Sequence, residues 1–230
     1  QFDGDEAAQD LSGHGHDLTG KEVQFAPVPG GQALKSGSRA IQAASNPSLQ
    51  LAPGFRIDGS VCFEKLPAEG RMIAIKNGEY QLRLNSQKEG GCFAFFVNLD
   101  GWEPRVCSEQ RVEPGRWYRF TARWDGAALI LDVNGQRSRL TRSGLPKPTD
   151  NPLVIGGVGG LLDNLKIENP RLPLLRARAA RQEHAILLAG RPEKFTTTIR
   201  NLGTPAERVD ARFRLPSGVR CFGPVVRELG

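Results

Sequence analysis

The chain has 230 residues, 39% of them hydrophobic, with a net charge of +6 and mean hydropathy of −0.38. This composition supports a packed core and excludes a disordered chain; the apolar runs are too short to cross a membrane as helices. The positive excess is confined to the last quarter: residues 1–173 hold 20 basic and 20 acidic groups, and residues 174–230 hold 11 and 5. The basic groups of that quarter are not interleaved with a series of aromatics, so a nucleic-acid partner is not expected. The chain opens at Gln1 with no charged segment leading into an apolar run, so any signal peptide is expected to be absent or already removed.

Strand-like runs recur every 8–12 residues. In "FRIDGSVCF", Phe55, Ile57, Gly59, Val61 and Phe63 share one parity and are assigned to the core. "RMIAIKNGEYQLRLN" and "GCFAFFVNLDGWEPRVC" follow, each divided by a turn. In "RWYRFTARWDGAALILDVNGQR", Tyr118, Phe120, Ala122 and Trp124 alternate with Arg119, Thr121 and Arg123. The dipeptides Asp125-Gly126 and Asn134-Gly135 supply the positive φ of tight turns, so three antiparallel strands are predicted here. "QRSRLTR", "NPLVIGG" and "GLLDNLKIEN" complete the first region. The fold class is therefore all-β, a two-sheet antiparallel jelly-roll sandwich.

A boundary is expected at Pro170–Pro173. Residues 174–188 have good helix formers but no clean N-cap; they are read as a linker and opening strand, with a short helix as the alternative. "KFTTTIRN" and "RVDARFRL" are strand-like. The 57 residues after Pro173 are few for a complete sandwich, which takes about 100. An incomplete domain is expected, with its missing strands further along a longer parent polypeptide.

Five stretches in order resemble the laminin-G-like, concanavalin A-like jelly-roll domains of bacterial extracellular proteins. They are "DLSGHGHDLTG", "GQALKSG", "SLQLAPGFRIDGSV", "GRWYRFTARWDGAALILDVNGQ" and "NPLVIGG…GGLLDNLKI". His14 and His16 stand where that family's loop usually carries Asn, Ser36 replaces an aromatic, and Ser60 stands where Trp is common. Residues 183–230 resemble the first half of an immunoglobulin-like module. The resemblance divides the chain into 1–173, a jelly roll, and 174–230, a linker with an incomplete immunoglobulin-like β-sandwich.

It also implies a structural calcium. The family's ligand carries over to Asp163, with Asp3, Asp10 and the carbonyl of Gly37 as contributors; a hard cation wants six to eight such oxygens. His14 and His16 at i, i+2 could clip zinc, but as replacements for Asn they are read as hydrogen-bonding turn residues. A retaining glycosidase needs two carboxylates about 5 Å apart on one face, at even spacing along a strand, and no Glu-x-Asp-x-x-Glu occurs. The expected function is thus non-catalytic glycan or glycoconjugate binding, in a module of a larger extracellular, periplasmic or cell-surface protein, beside other domains of the same polypeptide. An architectural spacer and an unrecognised glycosidase are the alternatives.

For the ligand, Trp102 is the stacking candidate, since it follows the Asp100-Gly101 turn; its rival role is to cover the sheet edge. Arg56 and Asp58, with Ser60, are candidates to line the open face, while Trp117 and Trp124 are assigned to the core. Four cysteines allow three pairings. Cys92 and Cys107 are equidistant from the Asn98–Gly101 turn and would face each other across a hairpin in register, close enough for a disulfide; a bulge would defeat that register. Cys62 and Cys221 fall in different domains and are expected to be free, or paired only if the domains dock.

Overall fold

A period-two alternation of apolar and polar residues allows one parity of each strand to be sealed against a facing sheet. The computed structural model describes residue 10, residues 12–20, 24–37, 40–51 and 54–169, and the backbone of 175–179 and 197–201. The strands of the first unit are β1 (Gln24–Val28), β2 (Gly31–Ser36), β3 (Ala40–Ala43), β4 (Phe55–Phe63), β5 (Arg71–Lys76), β6 (Tyr80–Leu84), β7 (Cys92–Val97), β8 (Val106–Arg111), β9 (Trp117–Trp124), β10 (Ala128–Val133), β11 (Gln136–Thr141), β12 (Leu153–Gly156) and β13 (Gly160–Glu168). They form a seven-stranded sheet, β1-β2-β13-β4-β9-β10-β11, and a six-stranded sheet, β3-β12-β5-β6-β7-β8, antiparallel throughout. This is the two-sheet jelly-roll sandwich expected from the strand spacing.

The core lies between the sheets. Phe55, Ile57, Val61 and Phe63 of β4 are fully buried, as their parity predicts. Aromatic contacts join the layers: Phe55 to Tyr80 at 4.5 Å, Phe63 to Phe93 at 6.0 Å and Phe93 to Tyr118 at 5.8 Å between ring centroids. Each pair takes one ring from each sheet, so these contacts set sheet-on-sheet packing rather than in-sheet pairing. Gly59 has core parity because Phe120 fills the space a side chain would need; a Cβ there would lie 2.6 Å from Phe120 Cζ. Gly59→Ala is expected to cost about 1–3 kcal/mol by overpacking. Thermal or urea unfolding of the variant checks it, and an unchanged midpoint would show that the ring yields.

The hairpins of the central stretch form with one local difference. Asn134 and Gly135 take φ of 52° and 85° and close β10 onto β11 with Val133 opposite Gln136, as a two-residue Asn-Gly turn should. At the β9–β10 turn only Gly126 has positive φ, 81°. Asp125 instead accepts from the N–H groups of Ala127 and Ala128 through Oδ1, so its role is to cap the turn. Trp117 is a correction to the core assignment. It is 37% exposed while Tyr118 is fully buried, because the parity that sends Tyr118, Phe120 and Trp124 inward turns Trp117 outward.

The chain divides into units 1–174 and 175–230. In the second, β14 (Leu175–Ala179) pairs antiparallel with β15 (Thr197–Asn201), with Ala177 opposite Ile199. Residues 174–188 thus contain a strand at their start. The "RVDARFRL" segment expected to be a strand, Cys221 and the remainder of the expected immunoglobulin-like module lie outside the described residues. Among the described residues no helix is long and apolar enough to cross a membrane.

Candidate functional site

Strand β7 reads "CFAFFV", and all six residues are buried. Alternation would leave every second one exposed, so both faces of this strand must be covered. Phe93, Phe95 and Val97 pack into the core; Cys92, Ala94 and Phe96 face away from it. The outward cover is supplied by arginines. The Arg83 guanidinium lies 4.8 Å from the Phe96 ring centroid and that of Arg105 lies 5.3 Å away, leaving Phe96 4% exposed. Cation–π attraction favours flat guanidinium groups over such a ring.

Neighbouring acids hold these arginines in place. Glu89 Oε1 accepts from Arg83 Nη2 at 3.0 Å and Arg105 Nη2 at 3.3 Å, while Glu103 accepts from Arg105 Nη1 at 2.9 Å. Arg83 Nε also donates to Asn85 Oδ1 at 3.0 Å. Glu89 belongs to a capping box on the 3-10 turn Gln87–Glu89, where its Oε2 faces the Ser86 hydroxyl at 3.1 Å. Partial burial pushes the Glu89 carboxyl up, but the Ser86 hydrogen bonds and the two arginines outweigh it and hold the group below the usual carboxylate range.

Register extends this patch across the sheet. Gln42, Val154, Ile75, Gln81 and Phe96 stand opposite one another on β3, β12, β5, β6 and β7. A second row holds Met72, Arg83, Ala94 and Cys107. Tyr80, Leu82 and Leu84 fill the core side of β6, so both rows lie on the outward face. Five strands at about 4.8 Å spacing make the first row roughly 19 Å long. Its middle is aliphatic and half-buried, with amides and a ring around it.

The residues singled out from the sequence do not converge. Arg56 and Asp58 lie on β4 of the seven-stranded sheet, with Arg56 Nη2 donating to Asp58 Oδ1 at 2.8 Å and Thr121 Oγ1 to the same oxygen at 2.5 Å. Ser60 is on the same outward parity of β4. Trp102 is half-buried in the β7–β8 connection, next to the six-stranded sheet, and its carbonyl accepts from Arg142 at 3.4 Å. The ligand-binding set therefore splits between two sheets. Arg83, Gln81, Phe96 and Arg105 were not anticipated as a group; the signal available was the doubly covered "CFAFFV" run.

The calcium set also separates. Gly160 stands opposite Ser36 and Leu162 opposite Leu34. Asp163 and Gly37 are thus about four ladder steps apart, roughly 13 Å, whereas ligands of one ion each lie about 2.5 Å from it. The Gly37 carbonyl accepts from Gly159 N–H at 3.1 Å. Asp163 accepts from Asn164 N–H at 2.7 Å and Asn164 Nδ2 at 2.8 Å, capping a β13 bulge where Asn164 has φ of 50°. Asp10 accepts from Ser12 Oγ at 2.7 Å and His16 N–H at 2.9 Å, and faces His16 Nδ1 at 3.0 Å. His16 Nε2 meets Ser48 Oγ at 2.6 Å, so this ring serves the loop by hydrogen bonding. Asp3 lies outside the described residues. Asp163 and Gly37 do not form one coordination sphere, and among the described residues no three His, Cys, Asp or Glu side chains gather as a metal-holding group.

The β7–β8 ladder places Val106 opposite Phe95 and Cys107 opposite Ala94, two positions off the register that would pair the cysteines, and an irregularity between Cys92 and Ala94 then sets Cys92 opposite Arg111. The directly opposed Cys92–Cys107 pairing is therefore corrected: the register set by the β7–β8 connection moves the two onto a diagonal, and both are free thiols, as is Cys62.

The model of the concanavalin A-like lectin/glucanases superfamily matches residues 61–172. No curated protein matches the chain. Among solved structures, the chain is similar to domain 4 of a GH43 extracellular arabinanase from Geobacillus stearothermophilus, solved in complex with arabinotriose. Identity is 17%, coverage is 70% of this chain and 86% of that one, and the TM-score is 0.57. It is also similar to botulinum neurotoxin type C, described as entering cells through interaction with two ganglioside molecules. There identity is 14%, coverage is 70% of this chain and 44% of that one, and the TM-score is 0.50. At these identities the likeness is one of fold. The first unit is thus an antiparallel two-sheet sandwich in which residues 61–172 match the model of the concanavalin A-like lectin/glucanases superfamily.

Proposed function

We propose that the sandwich is a non-catalytic carbohydrate-binding module that receives its ligand on the outward face of the six-stranded sheet. The observation that carries this reading is the pair of cross-strand rows: an aliphatic strip at Val154 and Ile75 beside Gln81 and the planar, acid-anchored Arg83. A sugar ring offers C–H groups on its faces and hydroxyls around its edge. An apolar strip bordered by amide and guanidinium donors matches both. Support comes from the superfamily match and from the arabinotriose bound to a domain of similar fold. We further infer that the module serves a longer extracellular or periplasmic polypeptide, where it holds substrate or surface glycan near other domains.

The test is a glycan array followed by calorimetry on the best ligand. Gln81→Ala and Arg83→Ala are each expected to weaken binding about tenfold or more, the loss of one to two hydrogen bonds to a ligand. Arg56→Ala, on the other sheet, is expected to leave affinity unchanged. Trp102→Ala reports whether the β7–β8 connection borders the ligand. No binding to any glycan would favour the spacer reading. Binding abolished by Arg56→Ala and untouched by Gln81→Ala would move the site to the seven-stranded sheet.

A further inference from the structure

The register that removes Cys107 from a position opposite Cys92 does not part their sulfurs. Diagonal neighbours in a regular ladder lie about 7–8 Å apart. Here the Asn85 side-chain amide, fully buried, reaches both: Nδ2 is 3.7 Å from Cys92 Sγ and 3.8 Å from Cys107 Sγ. The Cys92 thiol is hydrogen-bonded to the Cys107 sulfur as well. The two environments differ. Cys92 is buried at 9% exposure, whereas Cys107 is half-buried and accepts from the Arg105 guanidinium.

From this geometry we propose that Cys92 and Cys107 are a dithiol–disulfide couple, with Cys107 as the attacking sulfur and Cys92 as the resolving one. The electrostatics agree. Donation from Cys92, aided by Arg105 and opposed by burial, draws Cys107 toward the thiolate; the same bond and burial push Cys92 up.

With a low-molecular-weight disulfide as oxidant, the Cys107 thiolate attacks one sulfur, forms a mixed disulfide and expels one thiolate. Cys92 then gives up its proton, attacks Cys107 Sγ and expels the second thiolate. Two protein thiols are oxidised and one external disulfide is reduced to two thiols. Asn85 stands beside both sulfurs throughout and holds them within reach. Cys62 lies on β4 of the other sheet and takes no part.

The full chain, reduced and then exposed natively to oxidised glutathione, is acid-quenched, alkylated and digested with trypsin. We expect peptides 89–105 and 106–111 to be recovered joined, lighter than their sum by two hydrogens, with Cys62 alkylated and the bond reversed by dithiothreitol. In Cys92→Ser, glutathione should remain on Cys107. In Cys107→Ser, Cys92 should stay unmodified under the same exposure. Recovery of both wild-type cysteines alkylated, or of Cys107 joined to Cys62 or Cys221, overturns the couple. Glutathione on Cys92 in Cys107→Ser reverses the assigned roles and overturns that part. Mapping the wild-type bond needs no variant, so poor folding of either variant leaves the test decisive.

Discussion

Lys76→Ala is expected to lower stability by roughly 3–5 kcal/mol, the cost of orphaning one member of a buried ion pair. At about 2–4 °C per kcal/mol for a unit of this size, the melting temperature should fall by roughly 6–20 °C. Lys76 has no exposed side-chain surface and Glu79 almost none. Lys76 Nζ pairs with Glu79 Oε1 and donates to the Thr149 carbonyl at 2.5 Å. The same Glu79 oxygen accepts from Thr149 N–H at 2.8 Å and Thr149 Oγ1 at 3.0 Å. Removing the ammonium leaves a buried carboxylate without its counter-charge, and frees a carbonyl as well.

The purpose of so costly a pair is topological. Thr149 belongs to the long connection between β11 and β12, and its contacts tie that connection to the β5–β6 turn. The Asn77 carbonyl, 3.1 Å from Thr149 Oγ1, is the alternative acceptor for that hydroxyl's single proton, and Asn151 Nδ2 donates to it at 2.8 Å. The pair therefore fixes where the chain crosses from the seven-stranded sheet to the six-stranded one. A Lys76→Met/Glu79→Gln double variant should lose less than the sum of its single losses, because neither change then strands a charge. Denaturant titration of the four proteins measures this; strict additivity would show that the two side chains do not act together.

Parity made much of the sandwich legible in advance. Phe55 through Phe63 and Tyr118 through Trp124 carry a strict alternation, and burial follows it residue by residue. Where alternation breaks, the sequence was silent or misleading. Trp117 shares the strand motif of Trp124 but not its parity, and it faces out. The equal spacing of Cys92 and Cys107 about their turn points to an in-register pair, but the connection between the strands sets the ladder two positions off that register. Lys76 and Glu79 give no sign of burial locally, because the group that justifies them, Thr149, is some seventy positions away. The same holds for the outward face: Gln42, Val154, Ile75, Gln81 and Phe96 meet only because strands distant in sequence are adjacent in the sheet. Residue types and local periods can be read from a strand; the row that crosses it depends on strand order.

Arg142→Lys is expected to cost about 1.5–3 kcal/mol, the worth of a charge-assisted hydrogen bond, although it keeps the charge. Arg142 Nη2 donates to the Gly101 carbonyl at 2.7 Å and Nη1 to that of Val97 at 3.0 Å, with Trp102 and Pro104 carbonyls at 3.4 and 3.5 Å. One planar group thus gathers the carbonyls of the β7–β8 connection, whose turn carries Asp100 and Gly101 at φ of 77° and 129°. A lysine has one nitrogen on a flexible stem and cannot reach this spread of acceptors at once. The loss should be local as well as global. Amide exchange should accelerate across residues 98–105, which hold Trp102 and lead into Arg105, before it accelerates in β7 itself. The arginine lid over Phe96 depends on where Arg105 leaves that loop, so glycan affinity should fall in Arg142→Lys even at temperatures where the sandwich is fully folded. Unchanged exchange across 98–105 would show that the connection holds its shape without the fork and that Arg142 acts only as a surface charge.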